Sequence, residues 1–597
     1  METKKFKFTR GWLLALLVIG AVMTLRPYQH VAANPLSVAG GHCYQVFLPL
    51  IMGGAGGTVG SDASGDGGII TPPPGGCVPA PTAAFPDFNG DGYADLVIGV
   101  PGEDVTQGIN YENAGAAHII YGTANGLEAL AAQAAVDDQL WHRGISGLDT
   151  IAVAEGDLFG AALAMADFNN DGYDDLAVGV PGSVVNGHDE AGAVQVLYGT
   201  AVGLSLANTQ TWTQESGDIT DSAAAGDRYG HALAAADFDG DGYADLAVGI
   251  PGETVNGVVN AGAINIIFGS SDGLKSTIIS GGKLDEFFTE DTDPFFGLAE
   301  FNDQFGHTLT VADFDGDGYA DLAVGIPYED FAGGLDNAGN VQIFFGSPNG
   351  FLQTGSFARQ PQQISANTPG VDNLQEVNDY FGYSLTAADF NGDGYDDLAI
   401  GVPYETHGSG GSAIPYAGAV NIVLGSAAGL DAAPGAPIWH QGLSELDSEP
   451  APEEWFGWSL TAADFNNDGY ADMAVGVPGD RVFDLAIGST HILYGSATGL
   501  TGDGDKLIYD PANPELSDDF GFAVTAADFN GDGYADLAVG AYRDDPMDLL
   551  IENVGSVFVF HSNTNGVQQT DNQNWYQGHN GVAGTPEVSD GFGARLP

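Results

Sequence analysis

Residues 87–102 read DFNGDGYADLVIGVPG, and near-copies of that string recur through the rest of the 597-residue chain. The first nine residues follow the pattern DF[ND][GN]DGY[AD]D, which starts at Asp87, Asp167, Asp237, Asp313, Asp389, Asp464 and Asp528. Positions one, three, five and nine offer side-chain oxygens, and position seven can add a backbone carbonyl. In the first copy these are Asp87, Asn89, Asp91, Asp95 and the carbonyl of Tyr93. The second and third copies supply Asp167, Asn169, Asp171, Tyr173 and Asp175, then Asp237, Asp239, Asp241, Tyr243 and Asp245. The fourth and fifth supply Asp313, Asp315, Asp317, Tyr319 and Asp321, then Asp389, Asn391, Asp393, Tyr395 and Asp397. The last two supply Asp464, Asn466, Asp468, Tyr470 and Asp472, then Asp528, Asn530, Asp532, Tyr534 and Asp536.

Asp, Asn and Gly dominate turns everywhere, so one such string would be read as a turn. Seven copies keep three or four carboxylates together, and at ~4 Å each like-charged pair repels by several kcal/mol at an intermediate dielectric. A bound cation removes that cost. The ligands are all hard oxygens, the set calcium prefers, and the Gly at position six lets the backbone turn sharply around an ion. The sequence therefore predicts about seven structural Ca2+ sites.

An EF-hand closes its loop with a bidentate Glu at position twelve and has helices on both sides. Here position twelve is Ile98, Val178, Val248, Val324, Ile400, Val475 or Val539, inside short β-branched runs that stop at Gly and Pro. The loop thus joins two strands. Successive loops lie 64 to 80 residues apart, and most units repeat further landmarks. An aromatic-Gly pair precedes the loop, as in Phe159-Gly160 or Phe381-Gly382, and Gly-x-Pro follows it, as in Gly249 to Pro251. A third strand comes next (GAVQVLYG, 192–199), then a fourth that often holds Trp, as at Trp141, Trp212, Trp439 and Trp575. Four strands per unit and seven units predict an all-β, seven-bladed β-propeller with calcium loops between first and second strands. The repeated Trp residues read as wedges between blades, given how strongly large aromatics favour burial.

In order and spacing the aromatic-Gly pair, Asp-rich loop and Gly-x-Pro resemble the FG-GAP repeat of the integrin α-subunit N-terminal propeller, over roughly residues 82–597. That resemblance implies calcium loops on one face and ligand-binding loops on the other. Two units depart from the pattern. The seventh reads GAYRDD at Gly540 to Asp545 without Pro, and the first lacks an aromatic-Gly pair before Asp87 while the chain ends on an orphan Phe592-Gly593. Open sheet edges are a liability, so the C-terminal FGARL segment is expected to complete the first blade.

The formal charge is −66, from 80 acidic against 14 basic residues, five of the latter within the first 26. Nucleic acid is excluded as a partner, because phosphate binding needs Lys and Arg. Lys4, Lys5, Lys7 and Arg10 precede an apolar run from Trp12 to Leu25, with Val31, Ala32 and Ala33 after it, the layout of a secretory signal over 1–33. An uncleaved anchor is the alternative. Residues 34–81 read as a Gly/Pro-rich linker, and Cys43 and Cys77 within it could pair in an exported protein. Residues 82–597 form the propeller.

No nucleophile-elbow or zinc pattern is present, and the expected function is non-catalytic: a secreted or surface-tethered propeller that binds a protein or cell-surface partner through its loop face. A glycan-binding propeller is the alternative, and a polysaccharide-degrading enzyme the remote one. Acidic and aromatic residues recur just past Gly-x-Pro (Glu103, Glu253, Tyr328, Glu329, Tyr404, Glu405, Tyr542, Asp544), where turn and blade packing is the simpler account.

Overall fold

Each apolar run that follows an Asp-rich loop forms a strand buried on both faces: Asp175–Val180, Asp245–Ile250, Asp321–Ile326, Asp397–Val402, Asp472–Val477 and Asp536–Ala541, with Leu96–Val100 in the first unit. Small and β-branched residues suit such a strand, since it has neighbours on each edge and a further blade against each face. The computed structural model describes residues 86–597 except 130–136, 149–150, 218, 220, 276–284, 293–296, 354–355, 358, 372–374, 409–411, 432–437, 444–445, 447, 484, 511–515 and 547–550. The signal, the linker and both cysteines lie outside the described residues.

The strands assemble into seven four-stranded antiparallel sheets arranged as propeller blades. In blade 3, Val248 pairs with Leu233 of the inner strand (Ala232–Ala236) and with Asn265 of the third strand (Ala263–Ile267), and Glu286–Phe288 forms the outer edge. A 3₁₀ turn spans Glu290–Thr292.

The glycines of the motif explain how blades meet. A Cβ on Gly249 would lie 2.1 Å from the carbonyl oxygen of Gly306, the Gly of the next unit's aromatic-Gly pair. The same approach recurs from Gly179 to Gly230 and from Gly476 to Gly521. Backbone thus packs on backbone at each junction, with no room for any side chain.

The ring closes by the same contact. Gly540 of blade 7 meets Gly593, and the Gly99 amide of blade 1 donates to the Arg595 carbonyl at 2.9 Å. The C-terminal segment is therefore the inner edge of blade 1, as expected from the orphan aromatic-Gly pair. On the other face the Ala94 amide donates to the Asp528 carbonyl at 3.3 Å, joining the first and last Asp-rich loops.

Between blades lies a series of apolar cores. Trp141, Trp212, Trp439 and Trp575 are buried in them, each against the second strand of the following blade; Trp439, for example, clusters with Met473 and Val475. Phe288, Ile364 and Ile508 take that place at the other junctions. These four Trp residues are wedges and present no platform to solvent.

Candidate functional site

The seven Asp-rich loops share one geometry, set by their own amides. The first Asp accepts from the amides of residues five and six: Asp237 accepts from Asp241 at 3.1 Å and from Gly242 at 2.8 Å. The fifth Asp accepts from residue seven, as Asp241 does from the Tyr243 amide at 3.1 Å. These bonds curl the loop around its own centre. The sixth Gly has φ between 88° and 92° in every copy, left-handed backbone that a side chain would strain.

Position nine ties the loop to the sheet. Asp245 accepts from the Phe238 amide at 3.0 Å and from Gly269, just past the third strand, at 2.8 Å. Asp95, Asp175, Asp321, Asp397 and Asp472 repeat both bonds, and Asp536 accepts from the Ser562 amide at 2.9 Å and meets His561 Nδ1 at 3.1 Å. All seven are buried. Burial, with the first and fifth carboxylates nearby, pushes Asp175 and Asp397 up to about 8 and Asp472 to about 7.

That electrostatic tension is what a cation relieves, and the residues fit one. In loop three one oxygen each of Asp237, Asp239 and Asp245 lies within 4.8 Å of the others, and Asp313, Asp315 and Asp321 do the same in loop four. A carboxylate oxygen that accepts one amide keeps a lone pair for an ion. Loop four also has an Arg359 guanidinium against Asp315.

Neighbouring loops touch. Asn170 Nδ2 donates to the Gly242 carbonyl at 2.8 Å and Asn467 Nδ2 to Gly533 at 2.9 Å, and Tyr173 of the second loop packs on Gly90 of the first. The loops form a hoop on one face.

On the opposite face the residue after each aromatic-Gly pair lines a central channel of about 390 Å³, with His231, His307, Tyr383, Trp458 and Phe522 on its wall. Burial lowers the pKa of His307 to about 4, so it is neutral. From this wall a run of rings continues outward. Ring centroids of Tyr328 and Tyr380 are 5.1 Å apart, Tyr380 and Tyr404 4.9 Å, Tyr383 and Trp458 5.1 Å, and Phe522 and Tyr542 4.2 Å. A cleft of about 380 Å³ adjoins it, bounded by Tyr404, Trp455, Trp458, Tyr542 and two exposed arginines, Arg481 and Arg543.

The residues that recur past Gly-x-Pro thus divide by chemistry. Tyr328, Tyr404 and Tyr542 reach this surface, whereas Glu253, Glu329, Glu405 and Asp544 are buried at blade junctions. His142 and His440 are local: each Nδ1 accepts an amide two residues on, at 3.1 Å.

Sequence reasoning missed a second acidic series two residues before each aromatic-Gly pair: Asp157, Asp227, Asp303, Asp379, Glu454, Asp518 and Asp590, all buried. Most accept the amide three residues back, as Asp157 does from Ala154 at 2.7 Å. The repetition was visible in the string, but an acid beside an aromatic-Gly turn looks like ordinary turn chemistry.

The chain matches the FG-GAP repeat family at residues 80–120, 159–197, 229–266, 305–344, 381–420, 456–492 and 520–560. It is similar to phosphatidylinositol-glycan-specific phospholipase D of Homo sapiens, 33% identical over 32% of this chain and 21% of that protein. Integrin alpha-PS2 of Drosophila melanogaster is 30% identical over 42% of this chain and 16% of that protein, and integrin alpha-V of Gallus gallus 30% over 41% and 21%. The chain thus spans about a fifth of the length of these relatives. Seven FG-GAP repeats in tandem, each supplying one blade, make this chain an FG-GAP repeat protein with a β-propeller of the integrin α-subunit type.

Proposed function

We propose that the chain is a non-catalytic, calcium-stabilised recognition module of a secreted or surface-tethered protein, which binds a protein partner through the aromatic face. The observation that carries this is the continuous run from Tyr328 through Tyr404 and Trp458 to Tyr542, half-buried rings held on a rigid wheel. Rigid aromatics beside Arg are the composition of binding hot spots. Arg543 is paired with Asp519 at 2.9 Å across the cleft wall, and the exposed Arg481, one of few bases on a strongly acidic molecule, favours a carboxylate-bearing partner surface. Calcium supports the reading through the oxygen sets of the seven loops. Secretion rests on the N-terminal layout; no helix among the described residues is long and apolar enough to cross a membrane.

Trp455 stands where the other repeats have Leu158, Arg228, Gln304, Tyr380 and Asp519, so the cleft it bounds is not a repeated feature of that position, which suits a protein surface better than a repeated sugar pocket. The phospholipase similarity covers 190 residues and does not by itself carry that enzyme's activity here.

Binding of the labelled full chain to intact cells of the producing organism, in millimolar calcium, tests the proposal. Protease treatment of the cells should remove binding and glycosidase treatment should not, and joint Tyr404→Ala and Trp455→Ala substitution should weaken it at least about tenfold. Saturable binding on a glycan array would favour the sugar reading. Release of a glycosylphosphatidylinositol-anchored reporter would overturn the non-catalytic one.

A further inference from the structure

Every junction between blades repeats one arrangement on the face opposite the Asp-rich loops. Three positions meet there: the second residue past the outer-strand Trp or its substitute, the acid before the next aromatic-Gly pair, and the second residue past that unit's Gly-x-Pro. Between blades 1 and 2 these are Arg143, Asp157 and Ser183. Arg143 Nη1 lies 3.2 Å from Asp157 Oδ1 and donates to Ser183 Oγ at 2.8 Å, all buried. Between blades 2 and 3, Gln214 Nε2 donates to Glu253 Oε2 at 2.9 Å, and between blades 5 and 6, Gln441 Nε2 donates to Asp480 Oδ1 at 3.1 Å. At these junctions, and at Gln577 between blades 7 and 1, the first position brings a guanidinium or an amide donor to the acids, whereas between blades 4 and 5 it is Ala366.

Between blades 3 and 4 that position is Glu290. Glu290, Asp303 and Glu329 are all buried, with one oxygen of each within 4.8 Å of the others. Glu290 Oε2, Asp303 Oδ1 and Glu329 Oε2 have no hydrogen-bond donor among the described residues. A third acid stands at the donor's position, and burial, with repulsion from neighbouring acids, raises the pKa of all three.

A second, independent residue marks the place. Asn340 opens the third strand of blade 4 and pairs with Ile326, the register that Ser489 holds against Val477 in blade 6 and Ser556 against Ala541 in blade 7. Those serines donate to Asp480 and Asp544, the counterparts of Glu329. Asn340 is 0% exposed, yet neither its Oδ1 nor its Nδ2 has a partner among the described residues. Strand alternation puts Asn340 on the face from which Gln342 Nε2 donates to Glu290 Oε1 at 3.4 Å. A buried amide with idle polar atoms thus joins three carboxylates that each keep one idle oxygen, a set of hard oxygen donors suited to a cation.

We propose that the junction of blades 3 and 4 binds a divalent, oxygen-preferring cation, Ca2+ in an exported protein, between Glu290, Asp303 and Glu329, with Asn340 Oδ1 as a further ligand. The ion stands where the Arg143 guanidinium stands two junctions earlier in the ring, and it bridges two blades rather than closing a hairpin. Asp510, Asp518 and Asp544 put three buried acids at the same positions between blades 6 and 7.

Native mass spectrometry of the full chain titrated with Ca2+ tests this against Glu290→Gln. That substitution installs the residue already present at the equivalent positions Gln214, Gln441 and Gln577, so the fold should accept it. The variant should bind one ion fewer per chain and gain less in melting temperature on calcium addition. An unchanged ion count, with a higher melting temperature in calcium-free buffer, would mean that the three acids share protons and hold no metal. Ions in the Asp-rich loops cancel in the comparison, so the result stands whether or not those loops fill. Should the variant misfold, an anomalous-scattering peak between blades 3 and 4 in wild-type crystals soaked with Mn2+ is the expected finding, and its absence would overturn the proposal.

Discussion

At the scale of the residue, the ninth loop Asp carries the most structural consequence per atom. Asp245→Ala would orphan two buried amides, those of Phe238 and Gly269. Each unsatisfied buried donor costs about 1–3 kcal/mol, so a loss of roughly 2–6 kcal/mol is expected in denaturant unfolding at fixed calcium. Gly249→Ala tests the junction instead. Its Cβ would meet the Gly306 carbonyl at 2.1 Å, backbone that cannot swing aside, and overpacking of this kind costs about 1–3 kcal/mol or more. These roles were unequally legible. Position nine stood out as a metal ligand, but its bonds to the Gly at the end of the third strand depend on a pairing some 24 residues away. The glycines of aromatic-Gly and Gly-x-Pro were plain landmarks whose reason, contact with each other across a junction, only the assembled ring supplies.

At the scale of the element, strands and hairpin loops followed from local pattern: alternating turn signals and short β-branched runs leave few options. The exceptional element is the C-terminal segment. A residue 496 positions from its partner supplies the inner edge of blade 1 through the Gly99–Arg595 bond. Deletion of 592–597 should expose the second strand of blade 1 along one edge and the Gly540 face of blade 7. The expected result is a lowered melting temperature and proteolytic cleavage within blades 1 and 7, checked by calorimetry and limited trypsin or Glu-C digestion; unchanged melting would refute closure by this strand. Substitution at a wedge, Trp439→Ala, should cost about 3–5 kcal/mol, the usual range for a large buried aromatic.

At the scale of the whole molecule, charge decides stability. Extracellular calcium modules bind at about 0.1–1 mM, so at millimolar calcium the tight end of that range gives about 1.4 kcal/mol per site and seven independent loops roughly 10 kcal/mol. Chelation should therefore lower the melting temperature substantially and admit proteases. The metal-free protein should also respond to pH in a defined direction. Burial raises Glu103, Asp379 and Glu454 to about 7, above their unfolded values. Their contribution is fully present below the unfolded carboxyl range, near pH 4, and is lost as pH rises through about 7. Calorimetry of metal-stripped protein should thus find a lower melting temperature at pH 8 than at pH 5, with the increment from added calcium larger at pH 8, where the ligands are ionised.

By itself the sequence determined the repeating unit, its count, the hairpin character of the Asp-rich loop and its oxygen donors, because each is written within a few dozen consecutive residues and repeated seven times. Tertiary structure alone decided which acids became buried neighbours, that the rings of blades 4 to 7 merge into one surface, and that a third acid at Glu290 falls where four other junctions place a donor. Those outcomes come from positions in different repeats that meet only when a closed ring sets one blade's outer strand against the loops of the next, a distance relation that no local pattern encodes.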